Sequence, residues 1–290
     1  MGDIERPFAW ASITKLLVAM AVFVAVEEGT ISLDDQAGPP GSTVRHLLAH
    51  ASGLGPDSIV PVATPARMRI YSNIGYEVLA DTLALHTRMP FTDYLTGGVL
   101  TPLHMSATTL VPGSSPASGA RGPLHDLLLL AAELLVPTIV SATTLAEATS
   151  VAFPGLRGVL PGYGRFDPCD WALGFEVKGG KLPHWTGAHT SPATFGHFGK
   201  AGGFLWVDPV TGLTCASLSN RDFGPWAVTE WSTLADTVVE EWAEAAAGES
   251  AQTTHRLVTA DAERRENEAA QAAQAEAERR EREAAEVAEV

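Results

Sequence analysis

The feature that most constrains this chain is LLVAMAVFVAV, eleven consecutive apolar residues from Leu16 to Val26. As a helix it spans about 16 Å against roughly 30 Å of hydrocarbon, too short to cross a bilayer. A helix apolar on every side is one that the protein buries. As an export signal the run is poor: Asp3 and Glu5 accompany Arg6 ahead of it, and no small-x-small cleavage site precedes Glu27. A cytoplasmic location is the expectation. Just before the run stand Ser12 and Lys15, which share one helix face because residues at i and i+3 are surface neighbours. A helix start there also aims free backbone N–H groups and the positive dipole end at whatever Ser12 attacks. Serine is a weak nucleophile that an adjacent desolvated amine can activate. Seventeen serines and four lysines in 290 residues give roughly 0.2 chance S-x-x-K matches. Alone, the motif therefore reads equally well as a capping serine and a snorkelling lysine.

Length and ordinary apolar content allow one sizeable domain, or one domain with an inserted subdomain. The net charge of −15 argues against nucleic acid, whose recognition needs clustered Lys and Arg. Two cysteines, Cys169 and Cys215, fit small buried hydrophobes better than a disulfide scaffold or a metal site. His46 and His50 have i, i+4 spacing but lack the glutamate of H-E-x-x-H, so hydrogen-bonded structural histidines are expected. No metal or other cofactor is called for.

Further along, Gly29 is a natural helix terminator and Thr43 a cap for VRHLLAH. In Ile70-Tyr71-Ser72-Asn73, an extended backbone would point Tyr71 and Asn73 one way and Ser72 the other. From Ile74 the spacing is helical, and 74–168 reads as a mostly helical insertion of helices and loops without evident chemistry. After Trp171 the segments ALGFEV, TFGHFGK, FLWVD and LTCASLSN are short, β-prone and Gly-bounded, with a hairpin turn at Asp208–Gly212. A final helix is expected to pack on that sheet through Trp231, Leu234, Val238 and Trp242. The domain is placed at 1–246. Residues 247–290 are rich in Ala, Glu, Arg and Gln, without the apolar seam of a coiled coil. This tail is expected to be partly helical or disordered, with at most a weak partner.

Three clusters then fall in order: Ser12-Ile13-Thr14-Lys15, Tyr71-Ser72-Asn73 and His197-Phe198-Gly199. Together they resemble the S-x-x-K, Y-x-N and K-T-G (or H-x-G) motifs of the penicillin-recognising serine hydrolases. The similar branch holds class C β-lactamases, D-alanyl-D-alanine carboxypeptidases and related esterases. HLLAHASGL and GHFGKAGGFLWVDPVTGL extend the likeness from about Phe8 to Ala246. An α/β-hydrolase is no rival, for G-x-S-x-G is absent.

The resemblance implies an α+β fold, an antiparallel sheet flanked by helices with the helical insertion. It implies a serine hydrolase that cleaves a small-molecule ester or amide through a Ser12 acyl-enzyme, with no nucleic-acid or membrane partner. Lys15 and Tyr71 would share the proton transfers. Asn73 would orient Lys15 and hold a substrate amide or carbonyl. His197 would replace the motif's lysine near Tyr71, modulating its pKa and substrate binding. Gly199 would let the strand approach the reacting carbonyl, and the N–H groups of Ser12 and Lys200 would form the oxyanion hole. Phe198 stands where many relatives carry Thr or Ser, which favours an esterase-like preference. Lys200-Ala201-Gly202 is a rival third motif, but the Gly203-Phe204 that follows fits better when His197 begins it. Family members place two strands before the S-x-x-K helix, whereas eleven residues precede Ser12 here. The sheet is therefore expected to lack N-terminal strands and expose an edge. The alternative function is a weak or inactive binding module on the same fold.

Overall fold

The computed structural model describes residues 2–242; the segment 247–290, with its tail and partner expectations, lies outside the described residues. A two-residue strand, β1 (Phe8–Ala9), leads through a single 3-10 turn (Ala11–Ile13) into helix α1 (Thr14–Glu27). Every residue of α1 from Thr14 to Ala25 is buried, as its unbroken apolar sequence requires. The helix stops where Gly29 takes a left-handed φ of +70°. Helix α2 (Val44–Leu48) begins in a capping box between Thr43 and His46. Helix α3 (Asn73–Thr87) is capped by the Ser72 hydroxyl, which accepts from Gly75 N–H at 3.0 Å. Then come α4 (Phe91–Leu95), continuing into a wider π-type turn (Thr96–Leu100), strands β2 (Thr109–Leu110) and β3 (Ala120–Gly122), and helices α5 (Leu124–Leu135) and α6 (Ala142–Thr149). Strands β4 (Gly158–Leu160) and β5 (Gly164–Phe166) form a small hairpin.

The main sheet is antiparallel and sequential: β6 (Glu176–Val177), β7 (Phe195–Phe198), β8 (Phe204–Asp208) and β9 (Leu213–Ser217), in that order. Residues 225–242 form the last described helix, α7. Alternation along β8 fixes what covers each face. Leu205 and Val207 join the core that contains α1, whereas Phe204 and Trp206 join Trp185, Ala227 and Trp231 on the α7 side. The fold is thus α+β, with helices on both sides of an antiparallel sheet.

Among the described residues the main sheet carries no N-terminal strand, as expected; β1 pairs instead with β3 in a separate sheet ordered β1-β3-β2. Trp10 anchors it there, its backbone N–H donating to Ala120 O at 2.9 Å and its indole N–H to Gly122 O at 3.0 Å. Strand β9 pairs only with β8 among the described residues, and all five of its residues are half-buried. The 74–168 stretch is not free of strands, for β2 to β5 lie in it; ladders of two or three residues are too short to display alternation. Finally, α7 meets the sheet through Ala227, Trp231 and Ala235, with Val238 half-buried against the same cluster as expected, while Leu234 and Trp242 are exposed. Two alanines one turn either side of Trp231 let the helix sit close. Cys169 and Cys215 are free thiols.

Candidate active site

The local turns decide where each reactive group points. Ala11 has φ +45°, rare for a residue with a Cβ, at the corner where β1 becomes the helix, and Ser12 follows it. The Thr14 hydroxyl donates to Ala11 O at 2.6 Å and accepts from Ala120 N–H at 3.0 Å, which ties this corner to β3. Gly199, just beyond β7, packs against the same corner. A Cβ there would lie 2.4 Å from Trp10 O and 3.3 Å from Ser12 N. Only glycine allows that approach. The backbone N–H groups of Ser12 and Lys200 find no acceptor among the described residues.

Lys15 is the most constrained member. Its ammonium nitrogen is 3.4 Å from Ser12 Oγ, 2.8 Å from Asn73 Oδ1 and 2.9 Å from Ala117 O. Burial lowers its pKa to about 7, against the opposing charges of Asp57 and Glu77. Two of its three neighbours, an amide oxygen and a carbonyl, can only accept. A neutral Lys15 therefore spends both hydrogens on them and turns its lone pair to Ser12. Asn73 is held in that orientation because its NH2 donates to Asp57 Oδ1 at 2.8 Å.

Tyr71 also reaches Ser12 through a side-chain hydrogen bond. Burial raises its pKa well above the usual phenol range, and a side-chain hydrogen bond with Ser12 opposes that rise. The phenol thus stays protonated and is a donor at neutral pH. Lys15 Nζ sits 4.8 Å from the centre of the Tyr71 ring. His50 positions this segment: its Nδ1 accepts from Ser72 N–H at 3.1 Å, and its ring packs 4.5 Å from that of Tyr71. Ser72 faces away from Tyr71 and Asn73, its hydroxyl donating to Gly55 O.

Of the expected site residues, Ser12, Tyr71, Asn73, His197 and Lys200 line one cavity of about 290 Å³, closed by apolar side chains including Trp171, Phe198 and Phe223. Lys15 lies fully buried beneath Ser12 and Gly199 against its backbone. The His197 ring centre is 5.9 Å from that of Tyr71, and neither of its nitrogens hydrogen-bonds the phenol. Nδ1 of His197 pairs with Phe198 O at 2.7 Å, and Nε2 is buried without a partner among the described residues.

Three contributions were not legible in the sequence. Ala117 and Asp57 hold Lys15 and Asn73 from loops that carry no motif. Glu176, on the cavity wall, forms a buried cluster in which its Oε1 meets Lys181 as an ion pair of 2.8 Å. Its Oε2 accepts from His184 and Trp185, each at 2.8 Å. Burial alone would raise the Glu176 pKa, yet His184 and Lys181 hold it down at about 2. The Glu176-x4-Lys181-x2-His184 spacing was the only signal, and polar residues in a β-prone stretch ordinarily face solvent.

A family model described as Beta-lactamase matches residues 5–240. The chain belongs to the beta-lactamase family. Its fold is similar to the crystal structure of a β-lactamase from Mycobacterium bovis, 51% identical, with TM-score 0.82 over 84% of this chain and 90% of that one. It is also similar to simvastatin synthase from Aspergillus terreus, 15% identical with TM-score 0.70 over 83% of this chain and 85% of that one; at that identity the likeness is one of fold alone. Among curated proteins, the D-alanyl-D-alanine-carboxypeptidase/endopeptidase AmpH of Escherichia coli is 27% identical over 139 residues, 35% of this chain and 36% of that protein. The chain thus matches only about a third of that relative's length. The family is one of serine-hydrolase-type enzymes. Among the described residues, no helix is long and apolar enough to cross a membrane.

Proposed function

We propose that this beta-lactamase-family protein hydrolyses small esters, and more slowly amides, through an acyl-enzyme on Ser12. The single observation that carries the reading is Lys15, buried, with pKa near 7 and both spare hydrogens committed to Asn73 and Ala117. Such an amine serves as a general base at neutral pH. Lys15 takes the Ser12 proton as Oγ attacks the substrate carbonyl. The developing oxyanion receives the N–H groups of Ser12 and Lys200. On collapse the protonated Tyr71 phenol gives its proton to the departing alkoxide and recovers one from Lys15. Water entering the vacated leaving-group side repeats the steps on the acyl-enzyme and releases the acid. Asn73, already occupied by Lys15 and Asp57, has one N–H left for a substrate carbonyl.

The preference for esters is supported by the walls of the cavity. Phe198 offers no hydroxyl to a substrate carboxylate, and Trp171 and Phe223 add apolar surface. A second substrate class, the β-lactam amide, is favoured by the name of the 51%-identical M. bovis structure. A fluorophosphonate probe tests the nucleophile: the chain should label stoichiometrically and Ser12→Ala should not. Folded chain that fails to label ends the hydrolase reading. p-Nitrophenyl acetate and a chromogenic cephalosporin, compared by kcat/KM, rank the two substrate classes; a tenfold or greater advantage for the cephalosporin would overturn the ester preference.

A further inference from the structure

The proposed hydrolysis leaves His197, on the cavity wall, without a task. His197 is 3% exposed and lies in β7 with its ring packed against those of Tyr71 and Trp171, at 5.9 and 5.6 Å. A carbonyl oxygen cannot donate, so the 2.7 Å contact between Nδ1 and Phe198 O places the imidazole proton on Nδ1. Nε2 is therefore a bare lone pair. It is buried and has no partner among the described residues. Native proteins rarely leave such an atom unsatisfied without a ligand or water to meet it.

Protonation does not relieve it. Burial and the Lys15 charge hold the imidazole far below its usual pKa, at about 3, against the Phe198 carbonyl and Glu176. The position therefore offers an acceptor and no charge. Glu176 is a poorer acceptor for a neutral group: Oε2 already accepts from His184 and Trp185, and Oε1, though without a hydrogen bond among the described residues, is held as a charge against Lys181 at 2.8 Å. The cation that lines the cavity, Lys200, is exposed.

Resting on the hydrolase reading above, we propose that His197 determines specificity, its Nε2 accepting a hydrogen bond from a neutral O–H or N–H on the leaving group of the substrate. The leaving-group side follows from Tyr71, the proton donor to the departing atom, whose ring His197 flanks. Trp171, Phe198 and Phe223 complete a small aromatic-walled slot suited to an uncharged, donor-bearing group. A substrate carboxylate would meet a lone pair there, and two acceptors repel.

Matched phenyl acetates test this on the full chain. With hydroxyl, methyl or carboxylate at the meta or para position, the acyl group is constant and the ring nearly isosteric. The hydroxyl ester should exceed the methyl ester by roughly tenfold in kcat/KM, the discrimination expected when a buried acceptor is otherwise left unpaired. His197→Phe should abolish that ratio, and His197→Gln, which keeps an acceptor, should retain part of it. An unchanged ratio in His197→Phe overturns the assignment. So does a preference for the carboxylate ester that survives His197→Phe, since Lys200 would then be the recognising group. The unmodified chain with 15N-labelled histidine supplies a second readout: phenol should move the Nε2 resonance of His197 and toluene should not. Equal responses to the two overturn the proposal even where a variant fails to fold. If phenol moves the resonance but Ser12 neither labels nor hydrolyses, the hydrolase reading fails and the acceptor stands. If Ser12 labels but no hydroxyl preference exists, the reverse holds.

Discussion

Replacing Asp57 by Asn removes one charge and keeps the hydrogen bond that fixes Asn73, because an amide oxygen at position 57 still accepts from Asn73 Nδ2. Asp57 raises the Lys15 pKa, since a nearby anion favours the protonated amine. Its loss must therefore lower that pKa, and the acid limb of the rate profile, which reports neutral Lys15, must move to lower pH. The size follows from the path between the charges. Lys15 Nζ to Asn73 Oδ1 and Asn73 Nδ2 to Asp57 Oδ1 are each 2.8 Å, which puts amine and carboxylate roughly 7 Å apart across the amide. Asp57 is exposed, so solvent screens most of the attraction, and the limb should shift by about half a pH unit. In the parent, with Lys15 near 7, about a tenth of the plateau rate remains at pH 6; the variant should keep about a quarter. The assay is kcat/KM for p-nitrophenyl acetate between pH 5 and 9 at low and high salt, the shift shrinking as salt screens it. A limb that stays fixed at low salt, or moves up, refutes Lys15 as the titrating base.

Lys15→Ala should lower acylation by at least a thousandfold, because amine and hydroxyl act as one unit; stopped-flow release of p-nitrophenol within tenfold of the parent would refute its role. Gly199→Ala forces a Cβ to within 2.4 Å of Trp10 O and should cost about a hundredfold in kcat by shifting the oxyanion donors, with kcat unchanged as the contrary result. Lys181→Met leaves Glu176 buried with one counter-group fewer and should cost about 3 kcal/mol in urea unfolding, whereas adding Glu176→Gln should return most of it. Acid titration checks the same cluster: Glu176, held at about 2 against an ordinary 4.5, contributes stability above pH 4.5 that fades as pH falls toward 2.

Motifs made the proposed site residues legible and left their supports hidden, for a physical reason. Ser12, Lys15, Tyr71, Asn73, His197 and Gly199 fall into three short clusters, each within or directly beside a helix start or a strand, so their spacing is local. Ala117 contributes a carbonyl, which every residue has, so no side chain could reveal it. Asp57 lies in a Pro-broken loop whose path depends on contacts such as Asn73 N–H to Pro56 O at 2.7 Å. Strand β1 paired with β3 rather than the main sheet because Trp10 bonds two β3 carbonyls, a choice set across more than a hundred residues of sequence. In α7, periodicity identified Trp231, but the close approach made possible by Ala227 and Ala235 outweighed the larger apolar side chains that a hydrophobic stripe counts.

The apolar run and the proposed catalytic lysine have a single cause in common. Burial dominates the fall in the Lys15 pKa, and Lys15 is buried because α1 is enclosed from Thr14 to Ala25. The positive end of the same helix disfavours a cation in its first turn, so the two effects act together. A polar residue introduced deeper in α1, such as Val22→Thr, should destabilise the fold by about 1–3 kcal/mol by putting a hydroxyl in place of a buried methyl. It should leave the acid limb of the rate profile in place, since the solvent exclusion around Lys15 is set at the first turn by Ala117, Tyr71 and Asn73. Val18→Thr, one turn from Lys15, supplies a hydroxyl within that first stretch of helix and should raise the limb by better solvating the ammonium. Equal limbs in the two variants, with both folded, would mean that desolvation at the first turn of α1 is not what tunes the base.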